Sequence, residues 1–490
     1  MDRKTFIFGA VFVPVICLFV AGHSAYAIEA HKNIKGLFNT TRDVVVKCLE
    51  CHQQQAAEIL DSTHWIWQRS RIVNGSELLY DKRDSLVGFA VDVTTNPTRC
   101  LRCHISSAPD PGIFEEGTEA DVDCLVCHDT TGKYARNGGS DKPEQADYEI
   151  IARNVGKPSP ANCTTCHFAD CGLMEYSRPD ARENRKKHPS GGDIHMSGST
   201  SPFACQSCHV EDSGHSFTPT EINGPGMSGP KAGCSSCHPG SPHRIDRLNS
   251  HTATVSCQTC HIPAYAVETP VLVGWNWFLT GKILPVFQSL SSGRTILQDS
   301  NGFTSSIMIE PVYMWDNGGD RIYTRGQRIQ PNELTYLQKP AERSPESKIS
   351  PFRILYGTQL YDAKYRYLIS PLLSTAGNEL FPGLDWNAIS REGMKAIVLP
   401  YSGEYGIALT ARLRRINHGV VSSREALDCS DCHGSGGRLD WRSLGYDEDP
   451  WTMVQSGSAE PEPLQEKGIP EETGPSSSDR EMQILPVPTF

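Results

Sequence analysis

Cys48-Leu-Glu-Cys51-His52 is the first of eight stretches in this chain that share one pattern. The others are Cys100-Leu-Arg-Cys103-His104, Cys124-Leu-Val-Cys127-His128, Cys163-Thr-Thr-Cys166-His167, Cys205-Gln-Ser-Cys208-His209, Cys234-Ser-Ser-Cys237-His238, Cys257-Gln-Thr-Cys260-His261 and Cys429-Ser-Asp-Cys432-His433. In each, two cysteines stand three residues apart and a histidine follows directly. This is the spacing of a c-type haem attachment site. Two such thiols reach the two vinyl groups of one porphyrin as thioethers, and the adjacent histidine coordinates the iron. Zinc sites and disulfide frameworks also use closely spaced cysteines. Histidine directly after the second cysteine, eight times over, fits neither. The expected cofactor is therefore eight covalently bound haem c, with His52, His104, His128, His167, His209, His238, His261 and His433 as proximal ligands.

Of the 18 cysteines, the motifs leave only Cys17 and Cys171. Hydrophobic residues make up 38% of the chain, against 42 glycines and 33 prolines in 490 residues. That is thin for a core of this size. Eight porphyrins supply the missing apolar surface, so the haems are read as the core itself, and the apoprotein is expected to be largely unfolded. The net charge of −11 and the lack of a basic run exclude nucleic acid as a partner.

Residues 1–27 read as an export signal: the charged start Asp2-Arg3-Lys4, an apolar stretch from Thr5 to Gly22, and Ala25-Tyr26-Ala27 as a small-x-small cleavage site. The alternative is a retained anchor. The expected location is the periplasm, with no membrane span in the mature chain.

Seven motifs fall within 28–261 at irregular spacing, which predicts one seven-haem core of short helices and loops rather than a solenoid of equal repeats. Residues 262–428 contain no cysteine. Ile283–Phe287, Ser306–Val312 and Arg321–Ile329 carry β-favouring residues, Asp316-Asn-Gly-Gly319 is a turn signal, and Pro331–Pro351 reads as a proline-punctuated loop. The fold class expected is thus mainly α with much irregular structure, a multihaem cytochrome c core carrying a small β-rich insertion. The eighth haem segment spans 429–454, and 455–490 reads as a disordered tail rich in Pro, Ser and Glu.

The second axial position separates carrier from catalyst: two strong ligands leave an iron that only passes electrons, whereas an open position binds substrate. Of 17 histidines, eight lie in motifs and His23 in the signal. His31, His64, His188, His195, His215, His243, His251 and His418 remain, as many as there are motifs. His64 lies 12 residues past His52. On one helix that is about 18 Å, so His64 is expected to serve a neighbouring haem. His243 and His251 invite the same reading.

Several stretches resemble the octahaem cytochromes of the tetrathionate reductase family. They are Asp121–Gly132 around the third motif, His64-Trp65-Ile66-Trp67, Val155-Gly-Lys-Pro158, Cys257–Pro263, Pro311–Gly318 and Ile416-Asn-His-Gly419. The resemblance runs from about His31 to Tyr446. It implies a core of packed haems akin to multihaem nitrite reductases and hydroxylamine oxidoreductases, and reduction of tetrathionate, nitrite or hydroxylamine. It also implies His31, His64, His195, His215, His243, His251 and His418 as distal ligands, with the haem of the second motif, on His104, as the catalytic one.

The chain departs from the family at that haem. The family places a distal lysine, and an aspartate three residues before it, in a glycine-rich loop past the fourth motif. Here the lysine position falls on Ser177 and the aspartate position on Met174. Three outcomes stay open: an open iron, closure by His188, or closure by Met174 or a shifted lysine such as Lys186 or Lys187. Cys171 is read as a buried thiol or as a holder of a sulfur substrate. Asp121, Asp123 and Asp129 are read as acceptors for backbone or propionate groups, or as proton donors. The leading functional expectation is a periplasmic reductase of a small nitrogen or sulfur oxo-compound. It would be fed by a quinol-linked membrane module or a small cytochrome. The rival is a non-enzymatic relay with all eight haems bis-ligated.

Overall fold

The computed structural model describes residues 31–62, 64–65, 68–73, 76–81, 86, 94–96, 105–106, 117–134, 147–167, 193–197, 203–209, 215, 233–267, 270–276, 296–298, 303–373 and 385–455. Residues 1–27, Ile283–Phe287 and the tail beyond Gln455 lie outside this set, and so do the readings made for them. Two units are distinguished, Met1–Leu427 and Asp428–Phe490.

The α-helices are short. Among the described residues these are α1 (Thr41–Leu49), α2 (Gln53–Leu60), α3 (Leu125–His128), α4 (Tyr148–Arg153), α5 (Pro160–Thr164), α6 (Ile194–Ser197), α7 (Gln206–His209), α8 (Asp246–His251), α9 (Cys257–His261), α10 (Trp386–Ala396), α11 (Cys429–Cys432) and α12 (Pro450–Gln455). Their starts are written in the sequence. Thr40 and Asp43 close a capping box on α1, and Ser159 with Asn162 does so on α5, where Pro160 takes the first turn. Asp428 and Asp431 do the same on α11. Small apolar clusters hold the early helices together: Val44 of α1 packs with Leu125 of α3 and Tyr148, Ile151 and Ala152 of α4.

The single helix expected to carry both His52 and His64 is not formed. α2 ends at Leu60, because Ser62 Oγ donates to the Ile59 carbonyl and turns the chain, leaving His64 in the turn beyond.

The larger correction concerns fold class. Among the described residues the protein is a mixed α and β molecule rather than a mainly α one. β1 (Gln68–Val73) and β2 (Ser76–Asp81) form an antiparallel hairpin joined by Asn74-Gly75. An eight-stranded sheet follows, made of β3 (Val271–Trp275), β4 (Ile296–Gln298), β5 (Phe303–Ser306), β6 (Val312–Asp316), β7 (Asp320–Ile322), β8 (Thr335–Pro340), β9 (Lys348–Asp362) and β10 (Tyr405–Arg415). Strand order is β4-β5-β3-β9-β10-β8-β7, with β6 also paired to β9. The antiparallel β9–β10 ladder, from Tyr405↔Asp362 to Arg415↔Phe352, is its spine. The Pro331–Pro351 segment, read as a loop, contains β8 and the start of β9. Pro340 ends its strand, and Pro351 lies one residue outside the β10 ladder, so neither proline removes a ladder bond that the spine needs. Gly357 is a close-approach position: a Cβ there would meet the Trp275 ring at 2.2 Å. Trp275 lies across the sheet and donates Nε1–H to the Thr358 carbonyl at 3.1 Å. Leu272, Trp275, Tyr323, Ile329, Leu337, Leu368 and Ala408 form its core.

The sheet grips the seventh motif. Ser256 N–H and Thr259 Oγ1 both bond the Ile349 carbonyl, at 3.0 and 2.7 Å, and Ile349 N–H bonds the Thr254 carbonyl at 2.7 Å. At the end of β10, Arg415 is bound by Asp316 at 2.7 Å through two nitrogens and by Asp320 at 2.8 Å. Burial alone would lower its pKa, but these carboxylates outweigh burial and hold it above the ordinary value. This clamp fixes the strand end from which the chain runs on to His418.

Candidate haem sites

Every described attachment motif is one closed helical turn. The histidine N–H bonds the carbonyl of the first cysteine at 2.9 Å for His52, 3.0 Å for His128, 2.9 Å for His167, 3.1 Å for His209, 2.8 Å for His238 and 2.9 Å for His433. His261 ends α9, which starts at Cys257. A three-residue separation in a helical turn puts both thiols on one face, with the histidine a turn beyond the first.

Six of these motif histidines each face one spare histidine. Ring centroids lie 5.9 Å apart for His52 and His31, 6.0 Å for His167 and His64, and 6.1 Å for His128 and His215. They lie 6.2 Å apart for His238 and His195, 6.0 Å for His209 and His418, and 6.2 Å for His261 and His243. Two metal–nitrogen bonds of about 2 Å and roughly 1.1 Å from each nitrogen to its ring centre sum to ~6 Å. The spacing therefore fits one iron between each pair. Burial pushes His31, His128, His261 and His418 below the ordinary histidine pKa, and the facing histidine pushes each the same way. A neutral ring is the form that binds metal.

The second nitrogen of several rings is engaged. His128 Nδ1 meets the Gly156 carbonyl at 2.7 Å, which directs Nε2 at the metal position. Asp193, almost fully buried, takes the His195 N–H at 3.0 Å and faces its Nδ1 at 3.2 Å through Oδ1. Its Oδ2 accepts from Gly419 and Val420 N–H at 2.9 and 3.0 Å. In the second unit, His433 Nδ1 meets Asp449 Oδ1 at 2.6 Å, and the ring lies between Trp441, at 5.1 Å, and Trp451, at 5.6 Å. Burial would raise the Asp449 carboxyl, but the bonds from Gly434 N–H, His433 and Trp451 N–H outweigh it and hold the group below the ordinary carboxylate value. Trp441 Nε1 and His243 Nδ1 are buried without an acceptor among the described residues, as donors awaiting a bound group would be.

Neighbouring sites touch. Cys48 packs on the cluster that contains Leu125, joining motifs one and three, and Gln206 of motif five donates to the Pro158 carbonyl just before motif four at 2.7 Å. Asn162 beside motif four donates to the Asp129 carbonyl beside motif three at 2.9 Å. Asp193 links the loops of His195 and His418, and the 420–421 segment joins them to motif seven: Ile194 N–H donates to the Val420 carbonyl at 2.8 Å, and Val421 N–H to the His261 carbonyl at 2.9 Å. Motifs one, three, four, five, six and seven thus form a contiguous row.

Cys100, Cys103, His104, Cys171, Met174, Ser177, Lys186, Lys187 and His188 lie outside the described residues. His251 closes α8 and is half-buried. Asp121 bonds Thr118 N–H at 2.9 Å and pairs with Arg42 of α1, Asp123 bonds Leu125 N–H at 3.1 Å and Tyr134 Oη at 2.6 Å, and Asp129 bonds Thr131 N–H at 2.8 Å. Sequence reasoning missed Asp193, Glu58 and Asp449 as partners of the imidazoles. Only Asp449 carried a signal, standing before Pro450 as a helix start.

Rows of paired imidazoles on covalent attachment turns define a multihaem c-type cytochrome, a protein that holds haem c covalently and transfers electrons through it. Two family models match the chain, "Cytochrome c bacterial" over residues 273–436 and "Cytochrome c554 and c-prime" over residues 47–129. The solved structure of an octahaem cytochrome c from Shewanella oneidensis is similar with a TM-score of 0.74 and 34% identity, over 87% of this chain and 98% of that one. No curated protein matches. The chain belongs to the octahaem cytochromes c. Among the described residues, no helix is long and apolar enough to cross a membrane.

Proposed function

We propose that the protein carries electrons along its row of bis-histidine haems to the haem of the second motif, at Cys100, Cys103 and His104. There it reduces a small oxo-compound of nitrogen or sulfur: nitrite, hydroxylamine or tetrathionate. The observation that carries the electron-transfer part is the set of six imidazole pairs at about 6 Å. A bound haem supplies an iron that changes charge by one electron. The chain's own residues space these irons, saturate them with two strong ligands and so close them to substrate. His251 is assigned as the seventh distal ligand.

The catalytic part is supported by the resemblance to the tetrathionate reductase family and by Ser177 standing at its lysine position. A serine does not compete with lysine for iron, so the distal side of His104 is left accessible. Residues 1–27 serve export to the periplasm, and a quinol-linked membrane module or a small cytochrome donates the electrons.

Electron paramagnetic resonance of the oxidised, fully haem-loaded protein tests this reading. One high-spin iron that binds cyanide or nitrite, together with reoxidation of reduced protein by nitrite, hydroxylamine or tetrathionate, is the expected result. Eight low-spin irons inert to all of these would make the protein a non-enzymatic relay, and His188→Ala would then open the eighth.

A further inference from the structure

Among the described residues, His215, His195 and His433 each face a carboxylate, at graded distances. His215 Nδ1 is 3.4 Å from Glu58 Oε2, His195 Nδ1 is 3.2 Å from Asp193 Oδ1, and His433 Nδ1 is 2.6 Å from Asp449 Oδ1. His128 by contrast meets a neutral carbonyl. Only the His433 contact has the length of a strong charge-assisted hydrogen bond. Such a bond draws the Nδ1 proton toward the carboxylate and makes Nε2 a stronger donor to a metal. Stronger donation favours the oxidised, more highly charged iron and lowers its reduction potential.

Asp449 is built into place for this contact. Its Oδ1 also accepts Trp451 N–H at 2.9 Å, at the start of α12. Its Oδ2 accepts Gly434 N–H at 2.6 Å, and Gly434 has φ +92, a left-handed turn that directs this N–H at the carboxylate. The His433 ring stacks on Trp441 with 17° between planes, so it has no freedom to swing away. Asp193 differs: its His195 contact is longer, and its charge is divided among four donors.

We propose that Asp449 is a positioning residue that strengthens His433 as an imidazole donor and lowers the reduction potential of the haem of Cys429 and Cys432. The proposal rests on the reading of His433 as that haem's proximal ligand.

The test is spectropotentiometric titration of the holoprotein with eight haems verified by mass. Asp449→Asn keeps the shape and removes the charge. It should raise the midpoint of one haem by at least tenfold in its equilibrium constant, about 59 mV for one electron. The other seven should stay within a factor of two. Asp449→Glu should recover most of the shift. Independently of both, Cys429→Ser with Cys432→Ser should delete the component that Asp449→Asn moves, and no other. Unchanged midpoints in Asp449→Asn, equal shifts in Asn and Glu, or deletion of a different component would each overturn the proposal. A wild-type mass without haem on Cys429 and Cys432 would overturn it by a different route, through the ligand reading itself.

Discussion

Asp193 and His195 are joined twice through a single carboxylate oxygen, which takes the backbone N–H at 3.0 Å and faces the ring Nδ1 at 3.2 Å. The other oxygen is bound by Gly419 and Val420, next to His418. One buried side chain therefore orients the partners of two motif histidines, His238 and His209, from segments far apart in the chain.

Asp193→Asn should disturb two haems at once. The amide presents N–H₂ to one of two groups of donors, leaving buried donors unmet at a cost of about 1–3 kcal/mol. Electron paramagnetic resonance of the oxidised protein should show two low-spin signals shifted together, and denaturant unfolding should report the loss. A change confined to one haem would separate the two loops.

His64→Met should alter only the haem attached at Cys163 and Cys166, whose His167 faces His64 across 6.0 Å. Histidine–methionine ligation raises the potential relative to two histidines. Redox titration should show one component moved upward and the rest in place. A shift in the first haem, on His52, would instead place both histidines on one site.

Haem load follows from the eight motifs. The intact mass of the mature protein should exceed that of its polypeptide by eight haems when expressed with full maturation machinery. A population complete at six or fewer would remove at least two motifs from the reading.

The attachment motifs were legible because covalent chemistry is local: two thiols and a histidine must share one helical turn, so their spacing appears in the sequence. The partnerships were not. Nothing in the spacing of His209 and His418 says that they face one another, because the sheet and the Asp193 bridge bring them together. The sheet itself was underestimated. Pro340 and Pro351 read as part of a loop, yet they occupy a strand end and a position outside the β10 ladder. The β1–β2 hairpin was overlooked, although Asn74-Gly75 is a strong two-residue turn signal.

Arg415→Met should destabilise the protein by about 3 kcal/mol or more, since it strands Asp316 and Asp320 without their counter-charge in a largely buried place. Thermal unfolding followed by circular dichroism should show a lower midpoint. Asp316→Asn combined with Arg415→Met should recover part of it, because one orphaned charge is then gone.

The imidazole pairs also set an order of biogenesis. His52 and His31 emerge together, but His209 waits for His418, about 200 residues later in synthesis. The haem on Cys205 and Cys208 is thus attached to a chain that has yet to deliver its second ligand, and that ligand arrives only behind β10, the last strand of the sheet. On the proposed pairing, completion of the sheet supplies this haem's second imidazole, and a nascent or truncated chain lacking β10 would be without it.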